Sequence, residues 1–319
     1  MHSIVKVHDK EIRITGRLIK TARLEGEKYE FLEDPATMID RLRKCGSRVD
    51  LFTFMQRLPD TSPKYSYAME WDNFAAVPVT TFEHWWTKQI GFKARNKAKQ
   101  AGKGGVVVRE VPFDDDLVRG IQGVYNESPM RQGVPNKHYG MSFEAVFRAE
   151  STFLDSSIFI GAFLGDVLIG FVKMVHDETR TQAGLMKIVS MVGHRDKAPT
   201  NALVAQAIRS CAERGISYLV YSNFAYGKKE HSSLSDFKER NAFQRIDVPR
   251  YYVPLTKAGE VAFRLGLHHR LVDRIPEPVG EKLREIRAAW YKRKFQSVAA
   301  LPPKSSPEVG CSSPPSGAR

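Results

Sequence analysis

The pattern of apolar and polar positions divides the first eighty residues into three extended stretches and one helix. The stretches 11–19 and 49–58 are rich in apolar and β-branched residues and look like strands, and 65–79 looks like a third extended region. Between the first two strands, the stretch 36–45 repeats its apolar residues at helical spacing. The pattern therefore predicts a small α/β unit at 1–80.

After this unit the pattern predicts helices and a sheet. One helix begins at a Thr cap, Thr80 or Thr81, and stops in the glycine-rich run 102–105. Gly165 and Asp166 join two apolar strands in a hairpin turn. That hairpin spans 156–176, and the other predicted strands are 106–111, 184–193, 216–223 and 244–255. The other predicted helices are 113–129, 142–152, 199–214, 232–241, 257–267 and 277–295.

The predicted elements group into four regions. An abbreviated N-terminal α/β unit at 1–80 precedes a larger domain at 81–270. In that domain a hairpin comes before a strand-to-helix crossover, so we expect an α/β (α+β) fold with a mixed, mostly antiparallel sheet flanked by helices. A basic helix is predicted at 271–297. The tail at 298–319 is rich in Pro, Ser and Gly, and we expect it to be disordered.

Composition narrows the class of protein. The 319 residues are 42% hydrophobic, enough for a buried core. The sequence contains no run of roughly 18 apolar residues, so it predicts no membrane span. The charged N-terminus does not resemble a signal peptide, and we therefore expect a cytoplasmic protein. Cys45, Cys211 and Cys311 lie far apart and predict neither a disulfide framework nor a zinc site. Cys211, inside a helix pattern, is expected to pack as a small apolar residue.

Charge is the most informative part of the composition. A net charge of +13 indicates an affinity for nucleic acid, an anionic membrane surface or phosphorylated ligands, without deciding among them. The stretch 88–103 carries six Lys or Arg residues and no acid. Such a helix is either a solvated surface or a binding surface for an anion.

Four segments between 80 and 270 carry the most specific pattern in the chain. They are KARNKAKQAGKGGVVVREV, YNESPMRQGVPNKHYG, HRDKAPTNALVAQAIRSCAERG and SLSDFKERNAFQRIDVPRYYVPL. In this order they resemble the motifs of the FemAB-like proteins, the peptidoglycan-bridge aminoacyltransferases of the GNAT acyltransferase superfamily. That family has two full GNAT-like domains, and here the first is abbreviated.

The resemblance implies an N-acyltransferase with a GNAT-like fold. Its donor would be acyl-CoA or aminoacyl-tRNA, and its acceptor an amine on a sugar, an amino acid or a cell-envelope precursor. It implies no metal and no permanently bound cofactor. An acyltransferase site works largely by positioning, so the absence of triad, P-loop and metal-hydrolase motifs from this sequence agrees with it.

The junction between the predicted strand at 184–193 and the predicted helix at 199–214 is the expected donor site. A helix N-terminus offers unpaired backbone N–H groups and partial positive charge, which suit a pyrophosphate or a carboxylate. In place of the glycines that surround the pyrophosphate in ordinary GNAT enzymes, this chain has Pro199 and side-chain cations. A core helix with solvated cations is the alternative. The expected donor-binding residues are Met191, Val192, Gly193, His194, Arg195, Lys197 and Asn201.

The resemblance also suggests residues at the reaction centre. Lys238 matches the Lys of the family's Phe-Lys pair, and we expect it to be exposed in a polar cleft, where it would hold a carbonyl or phosphate; a surface lysine on a short helix is the alternative. Tyr221 and Asn223 lie at the carboxyl end of a predicted strand, where ligands bind in such sheets. These three residues are the expected catalytic residues.

Two further sets of polar residues have assignments from the sequence. Glu127, Arg131 and Tyr139 belong to a predicted loop and are expected to bind the acceptor substrate, with plain loop polarity as the alternative. His268 and His269, near a helix end, are expected to interact with the terminal carbonyls of that helix.

The sequence thus predicts an N-acyltransferase whose partners are an acyl donor, with tRNA as one form of it, and a small amine or envelope-precursor acceptor. The alternative is a catalytically silent GNAT-like module that binds RNA or an anionic surface through 88–103 and 288–294. Salt separates the two, because nucleic-acid binding weakens steeply as salt rises. The oligomeric state is open.

Overall fold

The computed structural model describes residues 2–131, 133–224 and 233–269, with 279, 282, 285–287 and 289–291 beyond them. The strands are β1 (His2–Val7), β2 (Lys10–Thr15), β3 (Thr21–Leu24), β4 (Leu51–Met55), β5 (Ala68–Pro78), β6 (Val106–Val111), β7 (Met130–Arg131), β8 (Val134–Pro135), β9 (Ser157–Leu164), β10 (Val167–His176), β11 (Gln182–Ser190), β12 (Tyr218–Val220) and β13 (Gln244–Pro254). The helices are α1 (Pro35–Lys44), α2 (Phe82–His84), α3 (Phe92–Lys103), α4 (Asp115–Asn126), α5 (Phe143–Glu150), α6 (Pro199–Glu213), α7 (Ser233–Arg240) and α8 (Lys257–Arg264).

Capping residues in the sequence fix where the helices begin. The carboxylate of Asp114 accepts a hydrogen bond of 2.9 Å from the backbone of Leu117 at the start of α4. Ser142 accepts one of 3.3 Å from Ala145 at the start of α5. Each cap satisfies one of the backbone N–H groups that a first helical turn leaves without a partner.

The predicted helix that starts at Thr81 is interrupted. Thr81 caps the short α2, a π-helical turn follows at Trp85–Gln89, and α3 begins anew after Gly91. The backbone N–H of Gly91 donates to the carbonyl of Arg240 at 2.9 Å, and a Cβ at this position would lie 3.0 Å from that oxygen. The break therefore comes from a close contact with a segment far away in sequence.

One mixed sheet organises the described part of the chain. Its eleven described strands follow the order β1-β2-β3-β4-β13-β5-β12-β11-β10-β9-β6, and β7 pairs separately with β8. All neighbours are antiparallel except two pairs, β3 with β4 and β11 with β12. The predicted mixed, mostly antiparallel sheet flanked by helices is confirmed.

The sheet runs through both of the regions predicted as separate domains. Strand β13, from the region predicted as 81–270, lies between β4 and β5 of the region predicted as 1–80. It pairs with β5 over nine positions, from Ala68 with Tyr252 to Ala76 with Gln244. The domain boundary therefore stays a prediction, while the hydrogen-bond ladder is continuous across it.

Apolar side chains cover both faces of the long sheet. Helices α3 and α6 pack Ala94, Ala101 and Leu203 against one face, and helices α4 and α5 pack their apolar side chains against the other. Cys211, on the inner face of α6, is fully buried, as expected for a packing residue, and burial raises the pKa of its thiol to about 12. Fully burying one large aliphatic side chain stabilises a fold by about 2 kcal/mol.

The chain uses one crossover topology twice. Strands β2 and β3 are antiparallel, and the chain then passes through α1 and returns as β4, parallel to β3. Strands β10 and β11 are also antiparallel, and the chain passes through α6 and returns as β12, parallel to β11. The abbreviated unit therefore contains the same strand–helix–strand crossover as the larger region.

Other sequence predictions differ at their ends. The strand predicted at 216–223 is ordered as β12 only over Tyr218–Val220, and the helix predicted at 257–267 ends at Arg264. The tail predicted at 298–319 and most of the basic helix predicted at 271–297 lie outside the described residues. None of the helices that the structure describes has the length and apolar composition needed to cross a bilayer.

Candidate active site

The two strands of the second crossover separate after a short pairing. Strand β11 pairs with β12 from Gln182 with Tyr218 to Gly184 with Val220. Beyond this point β11 continues to Ser190, whereas the backbone N–H of Tyr221 donates to Ala75 of β5 at 2.7 Å. The sheet thus opens between β11 and the segment that follows β12. A group placed in this opening can meet backbone amides and carbonyls that no ladder uses.

The helix that begins beside this opening has no side-chain cap. The chain leaves β11 through a short 3-10 helix, Val192–Lys197, and passes Ala198 at a φ of 51°. Helix α6 then begins at Pro199, whose ring has no N–H to satisfy. The N–H of Asn201 donates to the carbonyl of Ala198 at 3.2 Å, but no side-chain carboxylate offsets the positive end of the helix dipole, which therefore favours an anion.

The backbone amides just before α6 already have an anionic partner. The carboxylate of Glu127 accepts hydrogen bonds from the N–H groups of Val192 at 3.0 Å and Gly193 at 2.8 Å. The sequence assigned Glu127 to the acceptor and the other two residues to the donor, and the structure brings them into direct contact. Glu127 therefore fills the amide pair that a donor pyrophosphate was expected to occupy.

The loop that carries Glu127 also reaches the end of β11. The guanidinium of Arg131 donates to the backbone carbonyl of Ser190, and burial lowers the pKa of this side chain, with a smaller effect from Arg195 nearby. Tyr139 lies further along the loop and is 50% exposed. Of the three expected acceptor residues, Glu127 and Arg131 contact the edge of the opening, and Tyr139 faces solvent.

The three expected catalytic residues lie together, with one difference from the prediction. Lys238 is not exposed in a cleft, because its side chain is fully buried. Its Nζ donates to the backbone carbonyl of Asn223 and lies 5.0 Å from the ring centroid of Tyr221. Packing of α7 against the end of β12 explains the burial, since Phe237 and Phe243 also pack against the ring of Tyr221.

Burial changes the proton affinity of this lysine. Loss of water around the ammonium, with a smaller effect from the positive charge of Lys28, lowers the pKa of Lys238 to about 8. An amine with this pKa is still mostly protonated at neutral pH. Lys238 thus places a positive charge next to Tyr221 and Asn223, the residues that follow β12.

Lys28 is a site residue that the sequence analysis missed. Its Nζ donates to the hydroxyl of Ser222 and to Oδ1 of Asn223, the latter at 3.1 Å. Burial lowers its pKa as well. Lys28 comes from the segment between β3 and α1, nearly two hundred positions before its partners, and no spacing in the sequence connects them.

A half-buried ionic network holds the segment after β12 in place. Nδ2 of Asn223 donates to Asp72 at 2.7 Å, and Arg250 donates to the second oxygen of Asp72 at 2.9 Å. Arg250 also pairs with Glu27 at 3.0 Å, next to Lys28. These carboxylates hold the pKa of Arg250 above its usual value despite its burial. Asp72 and Glu27, both from the abbreviated unit, thus help to fix the position of Asn223.

A pocket of about 460 Å³ lies between α3, the start of α6 and α7. Three cations line it, Lys93 and Lys97 from the basic helix and Arg240 from α7, and no carboxylate is among its described lining residues. Asn201 is the one expected donor residue in that lining, and Lys238 is not among the lining residues. The pocket therefore suits an anion.

Three further expected donor residues lie beside this pocket, whereas Met191 packs against the hydrophobic core. His194, Arg195 and Lys197 belong to the 3-10 helix before α6 and are not lining residues of the pocket. The neighbouring carbonyl of Asp196 accepts a hydrogen bond of 2.8 Å from Gln100 of α3. This contact fastens the 3-10 helix to the basic helix and so defines one edge of the pocket.

Comparison with known proteins gives the fold. No protein-family model and no curated protein matches the sequence. The C-terminal domain of a protein described as a lysylphosphatidylglycerol synthetase from Agrobacterium fabrum is similar to this chain with a TM-score of 0.55 and 12% identity, over 82% of this chain and 87% of that one. L-PGS from Bacillus licheniformis is similar with a TM-score of 0.53 and 12% identity, over 83% and 87%.

A weaker likeness, to FemX, has a TM-score of 0.47 and 9% identity, and covers 83% of this chain and 89% of that one. It is too weak to carry an argument of its own. At 12% identity the two stronger likenesses show the fold and nothing of the activity. The chain has the GNAT/FemAB-like fold, as the order of its motifs implied.

Proposed function

We propose that this chain is an N-acyltransferase that moves an acyl or aminoacyl group from acyl-CoA or aminoacyl-tRNA to an amine. The observation that carries the proposal is the opening between β11 and β12, which lies beside the uncapped start of α6. A cationic pocket lies at the start of α6, and Lys28 and Lys238 both donate hydrogen bonds to Asn223, just after β12. Together these features provide a seat for the anionic part of a donor next to a gap for its carbonyl.

The contacts favour aminoacyl-tRNA as the donor. Glu127 occupies the backbone amides of Val192 and Gly193, so the seat that a CoA pyrophosphate would use holds a carboxylate. The available positive charge comes instead from side chains of the pocket and from the exposed basic helix α3. Side-chain cations arranged along a helix suit the spaced phosphates of a nucleic acid. One relative's printed name, lysylphosphatidylglycerol synthetase, also refers to an aminoacyl product.

In this proposal the donor ester lies in the opening and the acceptor amine approaches from the loop that carries Glu127 and Arg131. The amine nitrogen attacks the ester carbonyl carbon, a C–N bond forms, and the C–O bond to the ribose breaks. The proton of the amine passes to the released ribose oxygen through solvent. Positioning supplies most of the rate enhancement in such a site.

Lys238 acts as a positioning residue in this proposal. It is buried behind Tyr221 and holds the carbonyl of Asn223, so it fixes the end of β12 that forms one side of the opening. Its ammonium group also adds a positive field where negative charge develops on the carbonyl oxygen in the transition state. The acceptor is an amine of a sugar, an amino acid or a cell-envelope precursor, the class that the motif resemblance implies.

The test is a transfer assay with both donors. The purified chain is incubated with a charged tRNA pool or with acetyl-CoA, each with a panel of small amines, at low and high salt. We expect saturable, amine-dependent loss of the aminoacyl group from tRNA. Salt-sensitive RNA binding without loss of the acyl group would instead support a silent module that binds RNA through the exposed lysines of α3.

A further inference from the structure

Three side chains that offer metal ligands meet outside the acyl-transfer site. They are Glu70 of β5 and the adjacent His268 and His269, which follow α8. Nε2 of His268 lies 3.0 Å from Oε1 of Glu70, and Nε2 of His269 lies 3.2 Å from the same oxygen. The two histidines therefore contact a carboxylate, and not the helix-terminal carbonyls that the sequence analysis expected.

The end of α8 presets the two imidazoles. Gly266 has a φ of 64°, its N–H donates to the carbonyl of Phe263 at 2.9 Å, and the N–H of Leu267 donates to Ala262 at 2.8 Å. This pair of bonds is a glycine-dependent helix end, which turns the chain sharply after the helix. His268 and His269 follow at once, so the fold of the turn determines where their rings lie.

Packing fixes one ring and leaves the other accessible. The side chain of His268 is 3% exposed and lies between the rings of Tyr252 and Phe263, with centroid distances of 4.6 and 4.8 Å. His269 is 44% exposed and Glu70 33%. The cluster thus has a rigid, buried ligand on one side and contact with solvent on the other, where a metal ion can enter and water can complete its coordination.

The separations are close to those of a tetrahedral ion. Zn²⁺ binds imidazole nitrogen and carboxylate oxygen at about 2.0–2.2 Å, so two ligands of a tetrahedral site lie about 3.3–3.6 Å apart. The two ligand distances to Glu70 Oε1 are 3.0 and 3.2 Å, and all three ligand atoms lie within 4.8 Å of one another. Two imidazoles and one carboxylate are a donor set that Zn²⁺ commonly uses.

From this geometry we infer that Glu70, His268 and His269 form a binding site for one divalent transition-metal ion of the Zn²⁺ type. The ion ties the turn after α8 to β5 and leaves a coordination position for water. The site shares no residue with the proposed acyl-transfer site, so the metal-site proposal can be tested independently of the proposed function. No metal was expected from the sequence, since the resemblance implied none, and the glutamate and the two histidines are nearly two hundred positions apart.

The test is a titration of tag-free, chelator-treated full-length protein with ZnCl₂ and with CoCl₂. We expect one equivalent of Zn²⁺ to bind and Co²⁺ to give the visible absorption of a four-coordinate site. An ion that binds only the folded state at a hundredfold excess over its Kd should raise the Tm by about 5 °C.

Three variants decide whether these residues hold the ion. Glu70→Gln and His269→Ala should each weaken Zn²⁺ binding at least about tenfold, because each removes one ligand. His8→Ala is the matched control, since His8 is an exposed histidine 3.9 Å from a carboxylate, and it should bind Zn²⁺ like the natural chain. The Tm of each variant in chelator checks that it folds. No stoichiometric binding, or equal affinity in all four proteins, would overturn the site.

Discussion

The two crossovers of this fold share a topology but differ at the start of their helices. Both α1 and α6 have a proline at the first helical position. At α1 the carboxylate of Asp34 accepts hydrogen bonds from Ala36 at 3.0 Å and Thr37 at 3.2 Å. At α6 no side chain caps the helix, and cations of α3 and α7 line the adjacent pocket.

This difference indicates which crossover can receive an anionic ligand. A capping carboxylate satisfies the first backbone N–H groups and balances the positive end of the helix dipole, so α1 repels a further anion. The start of α6 has no capping carboxylate, and it lies near the end of β11, beyond the point where β11 and β12 separate. The topology provides two helix starts, and the capping residue leaves only one of them available for binding.

The largest expected effect comes from reversing the charge of the pocket at α6. Lys93→Glu with Lys97→Glu should weaken donor binding about a hundredfold, because two charge-assisted contacts become repulsive. Lys99→Glu with Lys103→Glu is the matched control, since it makes the same charge change on exposed positions of α3 that are not in the pocket lining. Filter binding of charged tRNA measures both. Equal losses would mean that the whole basic helix, and not the pocket, binds the donor.

A smaller effect is expected from the buried lysine beside the opening. Lys238→Met should lower kcat about thirtyfold, because the positive charge behind the end of β12 is lost. Lys173→Met is the control: Lys173 is also fully buried, and burial lowers its pKa to about 8, but its Nζ donates to three oxygens of Glu150 and Thr152. Lys173→Met should lower stability and leave kcat of the folded protein unchanged. Equal kcat losses would remove Lys238 from the site.

Making the start of α6 resemble that of α1 should have a moderate effect. Asn201→Asp places a carboxylate in the first turn of α6, in the pocket lining, and should weaken donor binding about tenfold while the fold is retained. Asp34→Ala, the converse change at α1, should cost about 1 kcal/mol of stability without altering donor affinity. Donor affinity and urea denaturation are measured for both. An unchanged donor affinity in Asn201→Asp would show that the start of α6 does not face the donor.

The smallest effect is a dependence of stability on pH. The pKa of Lys238 is about 8 in the folded chain and 10.5 without the fold, so the unfolded state binds more protons between these values. The contribution of Lys238 to the free energy of unfolding is therefore lowest below pH 8 and rises between pH 8 and pH 10.5. Between pH 7 and 9 the natural chain should gain about 1 kcal/mol relative to Lys238→Met. Parallel urea titrations test this, and a constant difference between the two proteins would contradict it.

The sequence predicted the regular elements well wherever local patterns control them. The hairpin at Gly165 and Asp166, the strand Val106–Val111 and the start of α6 at Pro199 were all predicted, because turn residues, alternation and a proline act locally. The motif order also indicated the fold correctly. These features depend on neighbours a few positions apart.

The candidate site was predicted less completely, because long-range contacts determine it. Lys28 reaches Asn223 because β5 of the abbreviated unit pairs with β12 and β13 pairs with both β4 and β5. The burial of Lys238 depends on how α7 packs on Tyr221. The sequence pattern of this eight-residue helix alone does not predict that contact. The contact of Glu127 with Val192 likewise joins two loops that the sequence separates by 65 positions.

The most direct test of the account is a crystal structure of the chain with a non-hydrolysable analogue of the aminoacylated 3′ end of tRNA. The account predicts that its phosphates contact Lys93, Lys97 and Arg240 and that its acyl carbonyl lies between β11 and the segment after β12. An analogue bound at the start of α1, or held only on the outer surface of α3 with the opening empty, would contradict the claim that this opening is the site of acyl transfer.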